Sequence, residues 1–220
     1  MKIIFLDIDG VLNADDDGIY ISGPNKGKSK LRSPHICGFT GIDYKKVKKL
    51  AKIVQATDAK VVLVSSWKTC YEQYKGNPNA HETMLSPVGA KKMGKYLVDK
   101  LLKEGVEIYG STFSAERYID EDGIWRTVGR GRGVRRWLVA NKDLDIEEWI
   151  ALDDEKYGYE EEQYDHLIQT DPSCYDYNWK SRKRENYRRG GLNDADVARA
   201  IDYLNNGVPS GEAIKDDQDV

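Results

Sequence analysis

Two carboxylates, Asp7 and Asp9, stand two residues apart directly behind the apolar run Ile3-Ile4-Phe5-Leu6. Two more, Asp153 and Asp154, follow Trp149-Ile150-Ala151-Leu152, and Ser65-Ser66 follows the run from Lys60 to Val64. At strand spacing Asp7 and Asp9 share a face, and Gly10 lets the chain turn away at once. In an open parallel sheet, ligands bind beyond the carboxyl ends of the strands. Three strands with these endings therefore gather four carboxylates and two hydroxyls along one edge. Carboxylates so close repel one another, and such a cluster is tolerable only around a cation or shared protons. An all-oxygen donor set favours Mg²⁺, which takes one or two carboxylates together with phosphate oxygens. Each fragment alone has a plainer reading. Asp-x-Asp-Gly makes an Asx-capped turn, and Asp153-Asp154-Glu155 and Ser65-Ser66 make helix N-caps. Their joint placement behind three apolar runs speaks for a site.

The elements that must hold these groups are legible from periodicity. Ile3–Leu6 and Lys60–Val64 read as buried strands, as do Val106–Tyr109, Trp149–Leu152 and His166–Gln169. Ile42, Val47, Leu50, Ile53 and Val54 recur at helical spacing over 43–56, with Asp43 as N-cap. Residues 87–104, 131–140 and 193–205 carry further amphipathic helices, whereas 13–42 and 110–130 look irregular. Strands alternating with helices imply right-handed βαβ units, hence an α/β fold with a mostly parallel sheet covered on both faces.

The chain has 220 residues, 40% hydrophobic and 32% charged, with a net charge of -3. This suits one globular domain and argues against a generally basic nucleic-acid coat. Cys37, Cys70 and Cys174 are widely spaced, which points away from a zinc or disulfide framework and towards a reducing cytoplasm. No apolar stretch is long enough for a membrane span or a signal peptide. Nothing calls for an obligate protein partner. The expected organisation is one domain over 1–208, small inserts at 13–42 and 67–90, and a flexible acidic tail over 209–220.

Phe5-Leu6-Asp7-Ile8-Asp9-Gly10-Val11-Leu12 resembles the first motif of the haloacid-dehalogenase-like (HAD) superfamily. Val61–Ser65 is similar to the second motif, Arg130-Gly131-Arg132-Gly133 to the third, and Trp149–Asp154 to the fourth. Ser65-Ser66-Trp67-Lys68 and a later Leu167-Ile168-Gln169-Thr170-Asp171-Pro172 are closest to the HAD domain of multidomain RNA-repair proteins. The resemblance implies a three-layer Rossmann-like fold with only small cap insertions. It implies a Mg²⁺-dependent phosphatase in which Asp7 is the nucleophile and forms an aspartyl-phosphate. Asp9 would be general acid and then base, with its backbone carbonyl on the metal. Ser65, or Ser66 in its place, would bind the phosphoryl group. Arg130 would clamp the transferring oxygens where the common pattern has Lys, with Arg132 and Lys68 as rivals for that role. Asp153 and Asp154 would complete the metal site, the inner-sphere ligand being open between them. An Asp at position 9 favours phosphoryl over carbon–halogen chemistry.

The resemblance and the basic run Lys180–Arg189, with Trp179 and Tyr187, suggest a nucleotide or nucleic-acid end as substrate. The plainer reading of that run is a solvated loop balanced by the acidic stretch 159–165. A small-metabolite phosphatase and a non-catalytic phosphate-binding module are the rival readings. His35, His81 and His166 form no metal-ligand pattern, and Trp67 could wall the pocket.

Overall fold

The computed structural model describes residues 1–13, 41–78, 80, 85–112, 117–119, 125–127, 129–171, 174–178, 183–188 and 190–209. Outside them lie most of the expected insert at 13–42, most of the expected tail at 209–220, His35, His81, Cys37 and Trp179.

Five parallel strands form the main sheet: β1 (Lys2–Leu6), β2 (Lys60–Leu63), β3 (Ile108–Ser111), β6 (Glu148–Asp153) and β7 (Leu167–Gln169). Their order is β3-β2-β1-β6-β7. Two antiparallel hairpins lie outside it, β4 (Arg117–Ile119) with β5 (Trp125–Thr127), and β8 (Cys174–Asn178) with β9 (Lys183–Arg188). The helices are α1 (Tyr44–Thr57), α2 (Lys68–Lys75), α3 (Pro87–Leu102), α4 (Arg130–Ala140) and α5 (Asp194–Asn206). A 3₁₀ segment, Glu161–His166, leads into β7. No helix among the described residues is long and apolar enough to cross a membrane.

Period-two alternation sorts the core into two layers. Ile4, Leu6, Val61, Leu63, Ile150 and Leu152 pack with the buried faces of α1, α2, α3 and α5. Ile3, Phe5, Val62, Val64 and Ala151 pack with Val134 and Trp137 of α4 and with Tyr159. Helices on both faces of a parallel sheet make this an α/β fold of three layers. Asp43 caps α1, its side chain accepting from Lys45 N, as its sequence position suggests. Asn193 and Asp196 cap α5 reciprocally.

Three segments differ from what periodicity suggests. Residues 68–75, inside the stretch 67–90, form α2 against α3, and Trp67, Cys70 and Tyr71 are buried there. The polar connection 110–130 holds β4 and β5, and the basic run at 180–189 supplies β9. Tertiary packing and local pairing decide these short polar segments, where propensity alone gives no signal.

Candidate active site

The register of the sheet sets the site. Leu6 lies level with Leu63 on one side and Leu152 on the other, so β1, β2 and β6 end in step. Asp7 continues the Ile3-Phe5 side and Asp153 continues the Ala151 side, so both carboxylates emerge on the face covered by α4. Asp7 N donates to Leu152 O at 2.9 Å and Val64 N to Leu6 O at 3.0 Å, which ties the three ends together. Beyond Asp7 the chain turns back, with Leu12 N bonded to Ile8 O at 2.9 Å and Gly10 at φ 74. A Cβ at Gly10 would overlap the Asp154 carboxyl carbon, so the turn can lie against Asp154 only with glycine there.

Asp7, Asp153 and Asp154 each offer a carboxylate oxygen within 4.8 Å of the other two. Asp7 and Asp153 are buried and Asp154 is partly so. The oxygens of Asp153 are fully engaged: Oδ1 accepts from Arg130 Nη1 at 2.5 Å and from Glu155 N at 2.9 Å, and Oδ2 from Tyr159 OH at 2.9 Å. Among the described residues neither buried oxygen of Asp7 has a hydrogen-bond partner, and Arg130 Nη2 lies 3.6 Å from Oδ2. Burial first, and then the Asp153 charge, push Asp7 up to about 7, against the opposing pull of Arg130 and the nearby Ser65 hydroxyl. Burial also lifts Asp153 to about 6 despite Arg130, and lifts Asp154. Buried, unbonded carboxylate oxygens beside two further carboxylates form a donor set that a hard divalent cation fits.

Arg130 reaches this cluster because the start of α4 packs closely on the segment 158–163. Gly131 N donates to Gly158 O at 2.8 Å and Gln163 Nε2 to Gly131 O at 3.0 Å. A Cβ at Gly131 would overlap Gln163 Oε1 and sit 2.7 Å from Tyr159 Cα. Of the three cations proposed for one role, Arg130 therefore bridges Asp7 and Asp153. Arg132 is exposed on α4, and two residues of helix turn it about 200° from Arg130. Lys68 also faces the cluster. Burial and the Arg130 charge bring its amine down to about 8, partly offset by Asp7, and Nζ donates to Thr112 Oγ1 at 3.0 Å. Ser65 is fully buried, and its Oγ accepts from Trp67 N at 3.3 Å. Ser66 is exposed.

Asp9 does not join the three-carboxylate group. The backbone leaves strand geometry after Leu6, which undoes the shared face expected from spacing. The Asp9 oxygens accept instead from Asn13 Nδ2 at 2.8 Å and Trp67 Nε1 at 3.0 Å. Sequence reasoning missed Tyr159, Asn13, Thr112 and Thr170, whose hydroxyl donates to Gly10 O at 2.9 Å. Trp67 is buried in the core, with its indole N–H on Asp9. Two cavities, of about 340 Å³ beside Tyr71 and Leu102 and about 190 Å³ beside Lys45 and Gly191, lie away from the carboxylates.

A family model described as the HAD domain in Swiss Army Knife RNA repair proteins matches residues 3–175. The chain belongs to this HAD family. Comparison with curated proteins finds no match. The HAD match takes in β1, β2, α4 and β6, the elements that carry all three carboxylates, Ser65 and Arg130. Membership points to a phosphatase-type hydrolase, and the acidic group is compatible with the metal dependence typical of HAD proteins.

Proposed function

We propose that this HAD domain is a Mg²⁺-dependent phosphomonoesterase that works through an aspartyl-phosphate on Asp7, with a nucleotide or nucleic-acid terminal phosphate as substrate. The observation that carries the reading is Asp7 itself: buried at the end of β1, with Asp153 and Asp154 each offering an oxygen within 4.8 Å and Arg130 beside it.

Asp7, Asp154 and the backbone carbonyl of Asp9 would hold the cation, with Asp153 behind them. Bound there, Mg²⁺ supplies positive charge that offsets repulsion between carboxylate and phosphate. An oxygen of Asp7 attacks phosphorus. The new O–P bond forms as the bond to the leaving oxygen breaks, and Asp9 gives that oxygen its proton. Arg130, Lys68 and the Ser65 hydroxyl stabilise charge on the transferring oxygens. Asp9 then takes a proton from water, whose oxygen attacks phosphorus and breaks the bond to Asp7. Inorganic phosphate and the free carboxylate result.

The substrate class rests on the family's RNA-repair members and on the basic run. The segments that flank the hairpin carrying the run are tied together by Gly191 N donating to Asp171 O at 2.7 Å. The test is hydrolysis of p-nitrophenyl phosphate with Mg²⁺ and with a chelator. Mononucleotides, 3′- and 5′-phosphorylated oligonucleotides and sugar phosphates follow at two salt concentrations. Turnover of oligonucleotides that falls steeply with salt supports the nucleic-acid reading. Preference for sugar phosphates shifts it to a small metabolite. No turnover with any divalent metal leaves a phosphate-binding module.

A further inference from the structure

Trp67 reaches Asp9 across 58 positions of sequence, its indole N–H donating to Oδ2 at 3.0 Å. From the other side Asn13 Nδ2 donates to Oδ1 at 2.8 Å. The Asn13 amide is itself oriented, because its Oδ1 accepts from Gly10 N at 3.1 Å and the NH₂ group must then face Asp9. Trp67 is 1% exposed and packed within the layer that includes Leu12, Ile42, Cys70 and Ala90, so its ring plane is fixed. Its backbone N–H also donates to Ser65 Oγ. That contact uses an acceptor site of the hydroxyl and leaves its proton for another group.

We propose that Trp67 is a positioning residue for proton transfer. With Asn13, its indole N–H fixes the plane of the Asp9 carboxyl so that the acid proton meets the leaving oxygen. The inference rests on Asp9 being the general acid of the phosphatase reading. A carboxyl turns freely about two single bonds, and proton transfer requires it within hydrogen-bond reach of one atom. A single donor leaves rotation about its own axis. Two donors on the two oxygens define the plane. Asp9 is only partly buried. A tryptophan that served packing alone would need no polar partner at that atom beyond water or a backbone carbonyl.

Leaving-group dependence separates positioning from packing. p-Nitrophenolate departs as a stable anion and needs little protonation, whereas glycerol must receive a proton. We expect Trp67→Phe to lower kcat/KM for glycerol phosphate at least about tenfold more than for p-nitrophenyl phosphate. Replacing the indole N–H by sulfur, with benzothienylalanine at position 67, keeps shape and packing, and the same selective loss is expected at an unchanged melting temperature. This second variant decides the matter if Trp67→Phe does not fold. Equal losses on both substrates, or full activity of the sulfur isostere on glycerol phosphate, overturn the proposal while the phosphatase reading stands. Where wild type does not take glycerol phosphate, a 3′-phosphorylated oligonucleotide serves as the poor-leaving-group ester in the same comparison, and a wild-type protein that hydrolyses none of these esters with any divalent metal overturns the reading beneath it instead.

Discussion

Nη1 of Arg130 lies 2.5 Å from Oδ1 of Asp153, a carboxylate with no solvent exposure. Removing one partner of a buried pair strands the other charge. Because burial already holds Asp153 at about 6, part of that cost is relieved by proton uptake. We expect Arg130→Met to lose about 2–3 kcal/mol in denaturant unfolding at pH 8, and less at pH 5. Arg130→Lys should retain more stability yet lose turnover, since lysine lacks the fork that spans Asp7 and Asp153.

Asp7→Asn should reduce hydrolysis of p-nitrophenyl phosphate by at least about a thousandfold while circular dichroism is unchanged. A variant that keeps wild-type turnover refutes the nucleophile.

The same substitution has an opposite effect on stability without metal. Asp7 titrates near 7 in the folded protein against 3.8 ordinarily. Between those values the folded state holds a proton that the unfolded chain has released, so stability falls as pH rises through the window. In a chelator, unfolding free energy should drop from pH 4 to pH 7, and Asp153 should add to the slope over its lower range. Asp7→Asn should flatten the profile and gain about 2 kcal/mol at pH 7.

Asp154 and Asp153 should separate in a Mg²⁺ titration. The donors to Asp153 are internal, so Tyr159→Phe should cost about 1–2 kcal/mol of stability yet keep the rise in melting temperature on adding Mg²⁺. Asp154→Asn should keep stability and lose most of that rise. A full Mg²⁺ response in Asp154→Asn would rule it out as the inner ligand.

The parts that sequence makes legible are those with long-range order in their own pattern. β1, β2 and β6 are dense apolar runs that stop at a polar residue, and α1, α3 and α5 carry regular apolar stripes. Asp7, Asp153, Asp154 and Ser65 follow from where those runs stop. α2 was illegible because Lys68–Lys75 buries only Cys70 and Tyr71. The hairpin strands are short and rich in charge, so pairing rather than side-chain pattern defines them. That Arg130 rather than Arg132 reaches the carboxylates depends on Gly129 and Gly131 fitting the start of α4 against 158–163, and the bond from Tyr159 to Asp153 depends on a loop. Neither leaves a trace in spacing.

The level endings of β1, β2 and β6 divide the molecule by its tolerance of added or deleted residues. One extra residue inside any of these strands would move its terminal side chain by about 3.3 Å and turn it to the opposite face. Their lengths are therefore locked to one another. The connections at the far rim, such as 103–107 and 141–147, carry none of the site and can lengthen without disturbing it. A scan of single-codon insertions should show an inactive band at one rim of the sheet and a permissive one at the other.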